Sequence, residues 1–191
     1  MNHECRQGGR FRVQSVFEDF IKETLESERL TAHPFVKFQK ARILRLIDDS
    51  NILQDKHQKE IRDSYLDAIY AIKTVDQYAV IQNTKSYAAL LWIYGQFLAD
   101  QNELQDAIRI LEDGKESFEN QSIKDEQYYL CITVLGRQYL KYYQENPADR
   151  VGYLRRAREI SRQLQNNYYD LGSARRYAAV LRTELQKYGA Y

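Results

Sequence analysis

The stretch AALLWIYGQFLADQNELQDAIRILEDG, residues 88–114, decides the fold of this chain. Apolar residues recur in it at three- and four-residue intervals on both sides of the short polar segment 100–103. This spacing predicts two amphipathic α-helices joined by a tight turn. The 191 residues also include only 8 Gly and 2 Pro, too few for a sandwich, a barrel or a doubly wound sheet, which need many turns. We therefore predict an all-α protein of about eight helices.

The same periodicity and the local start and stop signals place the other helices. Helices are expected over about 11–28 and 125–145, with a connector or short helix over 75–83. Asn146-Pro147 ends the helix before it, because the residue preceding a proline disfavours helical backbone. Further helix starts are predicted at Pro34, at Thr84 or Asn83, at Asn102, at Asp149 and at Asp170.

Small residues recur at intervals typical of a repeat. In a 34-residue frame that begins at Ala88, Gly95 is at the eighth position, Ala107 at the twentieth and Gly114 at the twenty-seventh. Glycine or alanine at a helix crossing lets two helices approach closely. This frame resembles the tetratricopeptide repeat. Gly136 and Ala157 fit a second unit with about nine inserted residues.

The resemblance implies antiparallel helix pairs stacked as a short right-handed superhelix. It places the clearest repeat at 88–121, a divergent one at 129–167 and a further one at 34–75, with a C-terminal helix at 170–188. Residues 1–10 are expected to be a flexible tail and 11–191 a single domain. A helical bundle that carries the same small residues by coincidence is the alternative fold.

In such repeats the first helix of each pair lines a concave groove, so the resemblance implies a non-enzymatic protein–protein interaction module that acts as a scaffold, adaptor or sensor. An acidic or amphipathic peptide or helix is the expected partner of this mixed aromatic and basic groove. Trp92 is equally compatible with a place in the core. The implied groove residues are Phe38, Arg42, Arg45, Trp92, Gln96, Thr133, Arg137 and Lys141.

Positive charge is concentrated near the C-terminus. Residues 150–191 hold nine Lys or Arg against three Asp or Glu, although the whole chain has a net charge of only +1. This asymmetry leaves open a nucleic acid, a larger regulatory assembly or homo-oligomer, and a merely solvated helix face. Because many tyrosines lie in the same third of the chain, base stacking is one of the contacts considered. The basic patch predicted here comprises Arg155, Arg156, Arg158, Arg162, Arg175 and Arg176.

No catalytic or metal-binding motif is evident in the sequence. There is no phosphate-binding loop, and the three histidines are scattered without an i, i+4 partner. Cys5 and Cys131 have neither disulfide-framework nor metal spacing. We therefore expect no enzymatic activity, no cofactor and no metal. The first ten residues have no apolar signal core, and no apolar run approaches the ~20 residues that span a bilayer, so we expect a cytoplasmic protein without membrane contact.

Overall fold

The computed structural model describes residues 33–49, 57–146, 150–166 and 172–187. These residues form α-helices, one 3-10 helix and turns, with no strand in the ranges described. The predicted all-α class is confirmed. The chain divides into two compact units between Asp76 and Gln77, where the sequence analysis expects one domain over 11–191. The expected tail at 1–10, the helix at 11–28 and the caps Asp149 and Asp170 lie outside the described residues.

The described residues of the first unit form two antiparallel helices, α1 (Pro34–Asp49) and α2 (Gln58–Thr74). As predicted, Pro34 begins α1, where its missing N–H costs no hydrogen bond. Salt bridges of 2.9 Å from Lys37 to Asp67 and of 2.6 Å from Lys40 to Glu60 join the two helices. Between them lies a core of apolar side chains. Its buried members are Phe38, Ala41, Leu44, Ile61, Tyr65, Ala68, Ile69 and Ile72.

A 3-10 helix over Asp76–Asn83 follows α2, in agreement with the predicted connector or short helix. Five α-helices of the second unit come next in the chain: α3 (Lys85–Asp100), α4 (Leu104–Asn120), α5 (Glu126–Glu145), α6 (Arg150–Asn166) and α7 (Gly172–Gln186). The last of these lies within the range predicted for the C-terminal helix.

Local capping explains most of these boundaries. Thr84 caps α3 as predicted, and its side chain accepts a hydrogen bond from the Tyr87 N–H. Asp125 caps α5 by accepting from two backbone N–H groups. The cap predicted for α4 is wrong: Glu103 is the N-cap. Asn102 instead adopts a left-handed conformation with a φ of 64°, which asparagine tolerates in turns.

The helices of the second unit alternate in direction. Gly95 of α3 packs against Leu111 of α4, while Trp92 packs against Gly114 further along, so the two helices are antiparallel. Lys85, at the start of α3, forms an ion pair with Asp125, the cap of α5, so those two helices are parallel. Each helix packs on the next in sequence, and α5 also contacts α3 and α7. The helix α5 is therefore at the centre of the unit.

Glycines are found at the predicted close approaches. A Cβ built on Gly95 would lie 2.6 Å from Leu111 Cγ, and one on Gly136 would lie 2.8 Å from Leu181 Cδ2. Both distances are shorter than non-bonded carbons allow, so a side chain at either position would force a neighbour to move. Ala107 and Ala157 are completely buried. All four small residues are buried, as close approach of the helices requires.

Candidate functional site

Three helices of the second unit, α3, α5 and α7, expose residues that we group as the α3–α5–α7 face. Its apolar members are half-buried on α3 and α5, whereas Val180 on α7 is exposed. Isolated exposed apolar residues are ordinary, but a set shared by three neighbouring helices is typical of an interaction surface. The α3–α5–α7 face comprises Ile93, Gln96, Leu130, Val134, Arg137, Lys141, Tyr177, Val180 and Glu184.

The exposed stripes of α3 and α5 have corresponding positions. When Gly95 is aligned with Gly136, Ile93 corresponds to Val134 and Gln96 to Arg137. Lys141 on α5 in the same way corresponds to the exposed Asp100 on α3. The two helices therefore present an apolar and then a polar side chain in the same order. This correspondence is independent of the loops, which differ in length.

Polar contacts connect this face across its helices. Arg137 Nε donates a hydrogen bond of 3.1 Å to Glu184 Oε1, which ties α5 to α7. On the other side of α5, Lys141 Nζ donates to Asn102 Oδ1 in the turn between α3 and α4. Because both cations are at least partly exposed, these contacts orient the side chains and leave them within reach of a partner.

Three of the predicted groove residues are in the core instead. Trp92 is only 8% exposed, because Gly114 lets α4 approach the Trp92 backbone. Thr133 is 6% exposed, and its hydroxyl donates to the Tyr129 carbonyl. Phe38 is 4% exposed and packs against Tyr65 with ring centroids 6.2 Å apart. These three side chains therefore do not line a solvent-filled groove.

The other predicted residues divide between the two units. Gln96, Arg137 and Lys141 belong to the α3–α5–α7 face. Arg42 and Arg45 lie on α1 of the first unit, where the Arg42 guanidinium sits over the Phe38 ring at 5.7 Å. Three of the eight predicted residues thus lie on α3 and α5, which contact each other.

A cleft of about 270 Å³ opens on the opposite side of α5, between α4 and α6. At one end of it, Tyr139 on α5 donates a hydrogen bond of 2.6 Å to Glu112 on α4. Arg156 on α6 donates to the same carboxylate at 2.9 Å, and its guanidinium lies over the rings of Tyr139 and Tyr153. We call this three-helix contact the Glu112 rung. Burial, followed by the hydrogen bond to Glu112, raises the pKa of Tyr139.

A second contact of the same kind, the Glu119 rung, lies two helical turns further along α4. Tyr128 on α5 donates to Glu119 at 2.8 Å, and Gln163 on α6 donates at 3.3 Å. Lys115 adds a hydrogen bond of 3.0 Å. Burial works to raise the pKa of Glu119, but these hydrogen bonds outweigh burial and lower it. Burial and the Glu119 carboxylate raise the pKa of Tyr128.

The cleft combines apolar walls with carboxylates that hold the helices together. Leu135 and Ile160 are among the residues that line it, and the carboxylates of both rungs are already hydrogen-bonded. Nearby, burial raises the pKa of the Cys131 thiol, which therefore lacks the thiolate character that a nucleophile needs. In the part of the chain that the structure describes, no group of three or more His, Cys, Asp or Glu could hold a metal ion.

Five members of the predicted basic patch are exposed. On α6 these are Arg155, Arg156 and Arg162, and the guanidinium of Arg156 is directed toward α4 by the Glu112 rung. Arg175 and Arg176 are exposed on α7. The remaining predicted member, Arg158, is half-buried on α6, and the structure adds Arg182, which is exposed on α7.

Sequence reasoning missed Ile93, Leu130 and Val134, although a signal for them exists. Ile93 and Val134 are apolar residues at corresponding positions of two glycine-aligned helices, and all three residues lie off the buried stripe. The Glu112 and Glu119 rungs were also missed. The sequence feature that indicates them is the seven-residue spacing of Glu112 and Glu119, which places both carboxylates on one face of α4.

Comparison of the chain with protein-family models, with curated proteins and with solved structures gave no match. Among the described residues, no helix has the length and apolar character needed to cross a membrane.

Proposed function

We propose that the second unit is a short helical-repeat domain of the tetratricopeptide type that binds a peptide or a partner helix on its α3–α5–α7 face. The observation that carries this proposal is the pairing of Gly95 with Leu111 and of Gly136 with Leu181 and Ile160. The two parallel helices α3 and α5 thus each use a glycine to approach a neighbouring helix. The right-handed superhelix implied by the resemblance is part of this proposal.

The chemistry of the face supports an amphipathic ligand. Ile93, Val134 and Val180 offer apolar contact area, and binding energy in interfaces comes mainly from a few such anchors in a desolvated centre. Arg137 and Lys141 beside them favour a carboxylate on the ligand, and Arg137 can present two parallel donors to it. The proposed ligand is therefore a segment with apolar residues on one side and acidic residues next to them.

Peptide selection against the full-length chain tests this function. Dissociation constants of the selected peptides are then measured for the unmodified protein and for a Val134→Ala, Arg137→Ala double variant. We expect the double variant to bind at least about tenfold more weakly, which corresponds to roughly 1.4 kcal/mol. Selected peptides are expected to combine apolar and acidic residues.

Arg109→Ala provides the matched control. Arg109 is an exposed arginine that pairs with an acidic residue, Asp106, at 3.3 Å, but it lies on α4, away from the face. It should bind the selected peptides like the unmodified chain. Selected peptides that bind both variants equally, or a selection that yields no binding peptide, would contradict the proposal.

A further inference from the structure

The cleft between α4 and α6 is bounded by the Glu112 and Glu119 rungs. A residue of each rung lines it on α6, Arg156 at one end and Gln163 at the other. These two residues are seven positions apart, or about 10.5 Å along the helix axis. The cleft volume of about 270 Å³ is below the roughly 300–1,000 Å³ typical of sites for drug-sized ligands. It therefore suits a small molecule or a single side chain.

The cations of the cleft are already bound to carboxylates. Arg156 forms an ion pair of 2.9 Å with Glu112, and Lys115 forms one of 3.0 Å with Glu119. An anionic ligand would have to displace one of these glutamates, so the cleft does not favour an anion.

Two further carboxylates line the cleft between the rungs. Glu116 lies on α4 between the glutamates of the two rungs, and Glu159 lies on α6 between Arg156 and Gln163. Because α4 and α6 form the two sides of the cleft, these carboxylates approach it from opposite sides. Both residues are exposed, so they lie at its mouth.

These two carboxylates keep most of their negative charge. Among the residues that the structure describes, none forms a hydrogen bond or an ion pair with Glu116. Glu159 has Arg155 at 3.8 Å, but the two side chains are 60% and 74% exposed, and an exposed pair of this kind contributes little. The middle of the cleft therefore carries excess negative charge on two different helices.

The inner surface of the cleft is apolar. Leu135 of α5 and Ile160 of α6 line it, and they are only 1% and 4% exposed. A short alkyl chain that covers them is itself removed from water. Apolar surroundings also lower the local dielectric constant, which strengthens the attraction between a carboxylate and a cation.

A guanidinium group on a short alkyl chain matches this arrangement. It is planar, weakly hydrated and has donors along more than one edge, so it can bind two carboxylates at once. We propose that the cleft between the two rungs binds an alkylguanidinium cation, with the guanidinium between Glu116 and Glu159 and the alkyl chain along Leu135 and Ile160. Free alkylguanidines and arginine side chains of other proteins share this chemistry.

Titration of the full chain with n-butylguanidinium tests this inference. Amide chemical shifts of the ¹⁵N-labelled protein are followed at pH 7 in 50 mM NaCl. We expect the shift changes to cluster in residues 112–119, 135–139 and 156–163. A ligand of only about eight non-hydrogen atoms should bind with a dissociation constant on the order of 1 mM. The neutral isostere n-butylurea should bind at least about tenfold more weakly, because it lacks the charge that strengthens the hydrogen bonds.

The decisive variant is Glu116→Gln, Glu159→Gln. It removes both charges at nearly constant shape and leaves the two rungs intact, so binding should weaken at least about tenfold. Asp106→Asn, Glu145→Gln is the matched control, since it removes two exposed carboxylates outside the cleft and changes the net charge equally. It should bind n-butylguanidinium like the unmodified chain. Circular dichroism verifies that both variants remain folded.

The peptide acetyl-Ala-Arg-Ala-amide distinguishes the two sources of the ligand. If it binds more tightly than n-butylguanidinium, the cleft takes an arginine of another protein. If it binds more weakly, the cleft takes a free alkylguanidine. Both results support the site.

Four results would overturn the inference. These are an absence of saturable binding, equal binding of n-butylurea, an unchanged affinity of the Glu116→Gln, Glu159→Gln variant, and shift changes located outside the cleft. The Val134→Ala, Arg137→Ala variant separates this inference from the proposed function. It should bind selected peptides weakly on the α3–α5–α7 face but bind n-butylguanidinium normally.

Discussion

Gly95 and Leu111 meet where α3 crosses α4, and the space between them is too small for a methyl group. A Cβ on Gly95 would lie 2.6 Å from Leu111 Cγ, 2.8 Å from its Cδ2 and 3.3 Å from its backbone nitrogen. Leu111 is fully buried, so it has little room to move aside. The crossing therefore depends on the absence of one carbon atom.

Gly95→Ala is expected to lower the free energy of unfolding by about 1–2 kcal/mol. Overpacking a core costs about 1–3 kcal/mol, and a contact of 2.6 Å with a buried leucine belongs in the upper half of that range. The gain in helix propensity of alanine over glycine, about 1 kcal/mol, offsets part of that cost. Urea-induced unfolding followed by circular dichroism measures the difference. A variant as stable as the unmodified protein would mean that the crossing adjusts easily.

Alanine variants of two other glycines test whether the loss of stability follows the contact distance at each glycine. At Gly114 the nearest atom to an added Cβ, the Trp92 nitrogen, is 3.3 Å away, and at Gly136 the 2.8 Å contact is with the end of the Leu181 side chain. We expect Gly114→Ala to remain within about 0.5 kcal/mol of the unmodified protein, because the gain in propensity balances a small clash. Gly136→Ala should fall between the other two variants, since its close contact is with a terminal methyl of Leu181 and not with a branching carbon.

The two rungs predict additive losses of stability. Tyr128→Phe and Tyr139→Phe each remove one hydrogen bond to a glutamate, at a cost of about 1 kcal/mol. Tyr128→Phe also removes the hydrogen bond that Gln163 donates to the Tyr128 hydroxyl, so its loss should be the larger of the two. The rungs are about 10.5 Å apart along α4, so the double variant should lose the sum of the two, within roughly 0.5 kcal/mol. Thermal unfolding checks this expectation. Tyr70→Phe, which alters an exposed tyrosine of α2, should have no effect.

Acid should weaken the Glu119 rung specifically. Hydrogen bonds from Lys115 and Tyr128 help to hold the pKa of Glu119 below 4.5. A carboxylate with a lowered pKa in the folded state stabilises the protein above its unfolded pKa, and this contribution disappears as the pH falls through the folded pKa. We therefore expect the stability advantage over Glu119→Gln to be complete near pH 7 and to shrink below about pH 4.5.

Denaturant midpoints at pH 7, 4.5 and 3.5 measure this dependence. Glu116→Gln serves as the control, since Glu116 is an exposed glutamate on the same helix. A difference between Glu119→Gln and the unmodified protein that stays constant down to pH 3.5 would show that the carboxylate contributes nothing through its charge.

The helices themselves could be predicted from the sequence because they are determined locally. Each helix is defined by features within it or next to it. These features are the apolar periodicity, the caps Thr84 and Asp125, and the helix end before Pro147. The burial of Gly95 and Gly136 was predictable too, since small residues on an apolar stripe imply a close neighbour. Asn102 misled the prediction because asparagine suits both a cap and a left-handed turn.

The exposed residues were harder to predict because exposure is set by how helices cross. The sequence left Trp92 either at a groove position or in the core, and the structure places it in the core, whereas its neighbour Ile93 is on the half-exposed stripe. Adjacent residues of a helix point about 100° apart around its axis. Which of the two is buried depends on the approach of α4 at Gly114, and no local pattern in α3 reveals that approach. The Glu112 rung joins residues of three helices and is equally invisible to a window of ten or twenty residues.

The caps of the two parallel helices α3 and α5 lead to a ranking of variants. Asp125 accepts hydrogen bonds of 3.0 Å from the Gln127 N–H and 3.2 Å from the Tyr128 N–H, and it also pairs with Lys85. Thr84 accepts a single bond of 3.4 Å from the Tyr87 N–H. Loss of an N-cap side chain costs about 0.5–2 kcal/mol. We place Asp125→Ala at the upper end of that range and Thr84→Ala at the lower end.

Asp125→Asn separates the two roles of this residue. The amide oxygen of asparagine still accepts from the backbone N–H groups, so only the ion pair to Lys85 is lost, and the cost should be about 0.5 kcal/mol or less. Chemical denaturation at 50 and 500 mM NaCl measures how the stability contributed by Asp125 divides between the ion pair and the cap, because salt screens the exposed ion pair but not the cap. If Asp125→Asn destabilises the protein as much as Asp125→Ala does, the ion pair with Lys85 is what secures the start of α5, and the cap contributes little.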